Sequence, residues 1–78
     1  MSFTIRRWIS SGGMQFDDSA KAKTTDEAIR KAETMAGIFR GIITEEVKQS
    51  ICNLEPGEAL RIRRSSIKFS MRIRRNKS

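Results

Sequence analysis

Histidine and tyrosine are absent from this chain of 78 residues. That removes the usual general base near neutral pH, the commonest imidazole metal ligand and the phenolic acid. One cysteine, Cys52, allows no internal disulfide, so the fold does not rely on one. Cys52 is one residue from an apolar helical stripe and reads as a small core or boundary residue, since nothing like a base stands beside it. Two carboxylate pairs, Asp17-Asp18 and Glu45-Glu46, have structural explanations. Neighbours in a strand point to opposite faces, and acids in the first turn of a helix favour its dipole. No enzyme, metal site or cofactor is expected. No apolar run is long enough for a transmembrane helix or a signal-peptide core, because Arg6 and Arg7 interrupt the N-terminal segment. The expected compartment is the cytoplasm.

Acidic residues are also scarce where cations are dense. Residues 56–78 carry eight basic side chains against Glu58 alone, while residues 24–55 carry six acids against four basic residues. The last 23 residues therefore equal the whole formal charge of +7. Concentrated basicity of this kind implies a polyanionic partner, with nucleic acid first, then an anionic membrane or an acidic protein surface. A hydrophobic fraction of 37% beside 32% charged residues fits one small folded domain over residues 1–78, not a disordered chain.

The densest part, Leu60 to Arg75, alternates. Leu60, Ile62, Ile67, Phe69, Met71 and Ile73 fall on one side, and Arg61, Lys68, Arg72 and Arg74 on the other. Such alternation marks half-buried strands. Arg63-Arg64-Ser65-Ser66 reads as a four-residue turn, which sets Ile62 opposite Ile67, Leu60 opposite Phe69 and Arg61 opposite Lys68. Like charges across a ladder repel, so a cation row that the fold does not need points to function. In that register Met71 and Ile73 outrun their hairpin partner, and the first strand is the obvious second neighbour.

Phe3 to Ile9 alternates as well and ends at Ser11-Gly12-Gly13, where two glycines supply the positive φ angles of a tight hairpin. A two-residue turn at Gly12-Gly13 sets Ile9 against Phe16, Arg7 against Asp18, Ile5 against Ala20 and Phe3 against Ala22. Trp8 then lies beside Asp17 on the opposite face, with Arg6 beside Ser19 and Thr4 beside Lys21. A bulge is expected at Asp17-Asp18. In the other orientation Trp8 and Thr4 would cover a core edge and turn Arg7 and Ile9 outward. The apolar Phe3, Ile5 and Ile9 favour Trp8 on the open face.

Between the hairpins lie two helical patterns. Thr24-Thr25-Asp26-Glu27 is a capping box that opens a stripe of Ala28, Ala32, Met35 and Ala36, and Gly37 is a plausible stop. Its small side chains suggest close approach to a sheet. The connector Ile38 to Ile43 has enough apolar side chain to plug one end of a core. Thr44 caps a second helix with Val47, Ile51 and Leu54 inward, ended by Asn53 or the Glu55-Pro56-Gly57-Glu58 turn.

The fold class is therefore α+β, a four-stranded antiparallel sheet in ββααββ order with two short helices packed on one face, and residues 76–78 as a frayed tail. The expected function is that of a small non-enzymatic nucleic-acid-binding protein. Its expected binding residues are Arg6, Trp8, Arg61, Lys68, Arg72 and Arg74 on the open sheet face, Arg63 and Arg64 in the turn, and Arg75. In size and element order the chain is similar to small phage-encoded proteins that disable host or defence machinery, anti-CRISPR proteins among them. That resemblance implies an inhibitor or adaptor docking on another protein, and it assigns no residues. Membrane-surface binding ranks behind both, because no basic amphipathic helix stands out. Either edge strand is free to pair with a copy of itself.

Overall fold

The computed structural model of the chain describes residues 1–77. Strand β1 (Phe3–Ser11) turns into β2 (Met14–Ala22), helix α1 (Thr25–Ala36) and helix α2 (Glu45–Cys52) follow, and β3 (Ala59–Arg64) and β4 (Phe69–Arg75) close the chain. The four strands form one antiparallel sheet in the order β2-β1-β4-β3. This is the expected ββααββ layout.

The first hairpin follows local chemistry. Gly12 and Gly13 have φ of 57° and 80°, the pair of left-handed residues that matches a two-residue turn to strand twist. The register runs unbroken from Phe3 opposite Ala22 to Ser11 opposite Met14, so every expected pair forms and there is no bulge at Asp17-Asp18.

The second hairpin corrects the sequence reading. Arg63 and Arg64 are the last residues of β3, not the turn. The turn is a short 3₁₀ segment, Ser65–Ile67, followed by Lys68 at φ 51°. Leu60 consequently faces Ile73, Ile62 faces Met71, and Arg61 faces Arg72 instead of Lys68. Met71 and Ile73 thus do not outrun β3. Strand β4 still has β1 as its other neighbour, with Ile5 opposite Ile73 and Phe3 opposite Arg75.

Both helices start as read. The Thr24 hydroxyl accepts from the Glu27 amide at 3.1 Å, and Glu27 Oε1 reaches past Thr24 to accept from the Lys23 amide at 2.8 Å. The Thr44 hydroxyl accepts from the Val47 amide at 3.2 Å. Ala28, Ala32, Met35 and Ala36 are buried under α1, and Ile51 and Leu54 under α2. They meet Phe3, Ile5, Ile62, Phe69, Met71 and Ile73 from the sheet. Each such aliphatic or aromatic side chain stabilises the fold by about 1.5–3 kcal/mol when fully buried.

The connector Gly37–Ile42 consists of 3₁₀ turns on either side of a kink at Phe39 and only partly plugs the core. Ile43 is buried and Phe39 packs edge-on against Phe69 at 6.0 Å, but Ile38 is 90% exposed. Cys52, expected at the core or its boundary, is exposed. Asn76, where the frayed tail was expected to begin, donates its amide to the Ser2 carbonyl at 2.9 Å, and its side chain donates to Ser2 Oγ and Thr4 Oγ1. Ser78, the last residue of that expected tail, lies outside the described residues. Among the described residues no helix is long and apolar enough to cross a membrane.

Candidate nucleic-acid interface

Both helices sit on one face of the sheet, which leaves the opposite face open. Alternation assigns that face to Thr4, Arg6, Trp8 and Ser10 of β1, and the strand registers extend it into rows. The central row runs Ser19, Arg6, Arg72, Arg61 across all four strands. Beside it on one side runs Lys21, Thr4, Arg74, Ala59, and on the other Asp17, Trp8, Ser70, Arg63.

Three arginines directly abreast oppose one another. A like-charge pair across a ladder is unfavourable by a fraction of a kcal/mol to about 1 kcal/mol. The same alternation buries Ile5, Met71 and Ile73 on the helix side, each fully inaccessible and each contributing about 1.5–3 kcal/mol. The apolar term wins, so the sheet holds the cations side by side.

Among the described residues only Arg6 of the three has a carboxylate partner. Its Nε donates to Asp17 Oδ1 at 3.1 Å and its Nη2 to Asp17 Oδ2 at 2.9 Å. This is a diagonal contact, since Asp17 stands opposite Trp8. The hydrogen bonds from Arg6 hold the Asp17 carboxyl below its ordinary value, with smaller help from the Arg6 charge and from a Trp8 hydrogen bond, against some desolvation. The same hydrogen bonds raise the Arg6 guanidinium. Trp8 is half-buried between cations, with the Arg6 guanidinium carbon 4.8 Å from its ring and that of Arg72 at 6.0 Å. Among the described residues Arg61, Arg63, Lys68, Arg72 and Arg74 form no ion pair.

Of the nine binding residues expected from sequence, Arg6, Trp8, Arg61, Arg72 and Arg74 lie on the open face, and Arg63, expected in the turn, joins them from β3. Lys68 stands at its end, in the left-handed turn, where its carbonyl accepts from the Ser10 amide at 3.2 Å. Arg64 and Arg75 belong to the other face. Arg64 is opposite Phe69 and donates to the Arg63 carbonyl, and Arg75 is opposite Phe3 and donates to the Leu54 carbonyl at 2.8 Å. Arg75 thereby satisfies a carbonyl just past the end of α2. Arg7 does comparable work beside α1, where it holds Asp18 through two hydrogen bonds and donates to the Met35 carbonyl at 2.7 Å.

The tips of the two hairpins enclose an open cleft of about 690 Å³, lined among others by Trp8, Ser10, Gln15, Phe16, Arg63 and Lys68. Gln15 was not singled out from sequence, and Ser10 only as the start of a Ser-Ser-Gly-Gly hairpin turn. Their alternation places them beside Trp8, but nothing local shows that the second turn folds back toward them.

Comparison of the chain with protein-family models, with curated proteins and with solved structures finds no match.

Proposed function

We propose that the chain is a small, non-enzymatic nucleic-acid-binding protein that tracks phosphates along the open sheet face and works in the cytoplasm. The observation that carries this is the row Arg6, Arg72, Arg61, flanked by Arg74 and Arg63, on a face where Asp17 is the one carboxylate in the strands. Arginine forks suit phosphate oxygens, and contacts of this kind give affinity without sequence preference. Trp8 adds a ring on which an unpaired base can stack.

Salt titration with labelled single-stranded and duplex oligonucleotides tests it. With about five phosphates neutralised, affinity falls by roughly two to three orders of magnitude between 50 and 200 mM salt. Replacing Arg61, Lys68 and Arg72 together by serine abolishes binding and leaves the fold intact. Unchanged binding by that triple variant would falsify the proposal.

A second reading is a compact inhibitor or adaptor of the phage type, docking on an acidic surface of another protein. It is favoured by apolar side chains left in solvent, Met14 at the start of β2 at 61% and Ile38 of the connector at 90% exposure. A stoichiometric protein partner that survives nuclease treatment of a pull-down would support docking. Loss of all partners on nuclease treatment would favour the nucleic-acid reading.

A further inference from the structure

We infer that β2 pairs with β2 of a second copy of this chain about a two-fold axis at Ser19, joining two four-stranded sheets into one of eight strands. Strand β2 is an edge, with β1 as its one neighbour. The two-residue turn makes Ser11 and Met14 a hydrogen-bonded pair, so alternate residues of β2 direct their backbone groups away from β1. Those residues are Gln15, Asp17, Ser19 and Lys21. The outward carbonyl of Lys21 accepts from Lys31 Nζ at 2.5 Å, which agrees with that assignment. A carbonyl has two lone pairs, so Lys31 can stay on one while an amide of the partner takes the other.

Side-chain chemistry chooses the register. A two-fold normal to the sheet pairs residues of equal parity, so the axis passes through one residue of β2. An axis at Asp17 or Asp18 sets that carboxylate against its own copy. An axis at Ala20 sets Phe16 against the partner's Thr24, beyond the strand. At Ser19 every opposition is favourable or neutral: hydroxyl meets hydroxyl, Asp17 meets the partner's Lys21, Asp18 meets the partner's Ala20, and Phe16 meets the partner's Ala22. Phe16 is 48% exposed on the isolated chain, and this register gives it an apolar neighbour. Strand β3, the other edge, is unsuited to self-pairing, since near-full registers face Arg61 with itself or with Arg63.

The same axis has a consequence for the open face. Ser19 ends the row Ser19, Arg6, Arg72, Arg61, so the dimer continues it as one line of six arginines with two serines at its centre. At a strand spacing of about 4.8 Å, eight strands span roughly 34 Å. The pairing is argued from β2 alone, whereas its use as a longer phosphate track rests on the nucleic-acid proposal.

Charge exchange tests the register. Asp17→Lys and Lys21→Asp each place like charges across the axis, and each variant sediments as a monomer. An equimolar mixture of the two restores opposite charges at both contacts and sediments as a heterodimer. In a Cys52→Ser background, Ser19→Cys forms an intermolecular disulfide, because a hydrogen-bonded pair has Cα atoms about 5.5 Å apart, within disulfide reach. Gln15→Cys, far from its own copy in this register, does not. Wild-type protein that remains monomeric at every concentration, or equal cross-linking of the two cysteine variants, overturns the pairing. The disulfide dimer is then titrated with oligonucleotide. A salt dependence steeper than the monomer's supports the joined track. A dimer that binds with the monomer's salt dependence refutes the track and leaves the phosphate reading intact. A dimer that binds no oligonucleotide refutes the phosphate reading and leaves the pairing intact.

Discussion

Arg72 stands directly opposite Arg6 on the two central strands, and of the two arginines Asp17 engages Arg6. The pair divides the labour of the open face. Arg6 is held by a carboxylate and lies over Trp8, while Arg72 has no ion-pair partner among the described residues and is available to an anion.

Arg72→Thr separates binding from stability. It removes one of three adjacent like charges and keeps a good strand residue, so stability in a urea titration stays within about 0.5 kcal/mol of wild type or rises. Oligonucleotide affinity falls, and the salt slope decreases by about one contact.

The Arg6–Asp17 pair gives a pH prediction with a defined sign. Asp17 is held below its ordinary value of 3.8 in the folded chain. Its contribution to stability is therefore present above that value and is lost as pH falls through the lowered folded value. In Arg6→Ala the Asp17 carboxyl, followed by NMR, titrates nearer 3.8. Trp8 fluorescence, which senses the same carboxylate, changes at correspondingly higher pH.

Met71→Ala empties a fully inaccessible site between the sheet and the helices. Loss of a buried methionine side chain destabilises by about 2–5 kcal/mol. A domain of this size has roughly 4–12 kcal/mol in total, so the variant is expected to be marginal at best. Its denaturant midpoint drops sharply, whereas exposed Arg74→Gln leaves the midpoint nearly unchanged.

Thr24→Ala removes the hydroxyl that accepts from the Glu27 amide. The expected loss is about 1 kcal/mol, with Thr24→Ser recovering most of it. Hydrogen exchange of the Glu27 amide reports the change directly.

The two hairpins show where sequence is sufficient. Gly12-Gly13 permits a two-residue turn, and with turn length fixed every β1–β2 pair follows, including Arg7 with Asp18. Arg63-Arg64-Ser65-Ser66 offered no such constraint. The turn instead depends on Lys68 adopting a left-handed conformation, which lysine rarely does and sequence does not announce. The register therefore moved, and Arg61 gained Arg72 as its neighbour in place of Lys68. The face of Arg61 survived that shift, because alternation within a strand does not depend on the partner's register.

Arg64 leaves the expected turn for the end of β3, because the turn starts at Ser65. Composition counts Arg75 with the other cations, but odd and even positions of one strand face opposite ways. Phe69 and Phe3 stand opposite Arg64 and Arg75 and place them on the helix side.

By itself the sequence determined the alternation, the caps and the first turn, and hence the element order, the apolar face and the surplus of cations. Those are local properties, set by residues a few positions apart. Tertiary structure decided the registers of β4 against β1 and β3, and so brought Arg6, Arg72 and Arg61 into one row from three separate segments. That outcome depends on burial of Ile5, Met71 and Ile73 against the helices, a cooperative term larger than the repulsion among the arginines it brings together.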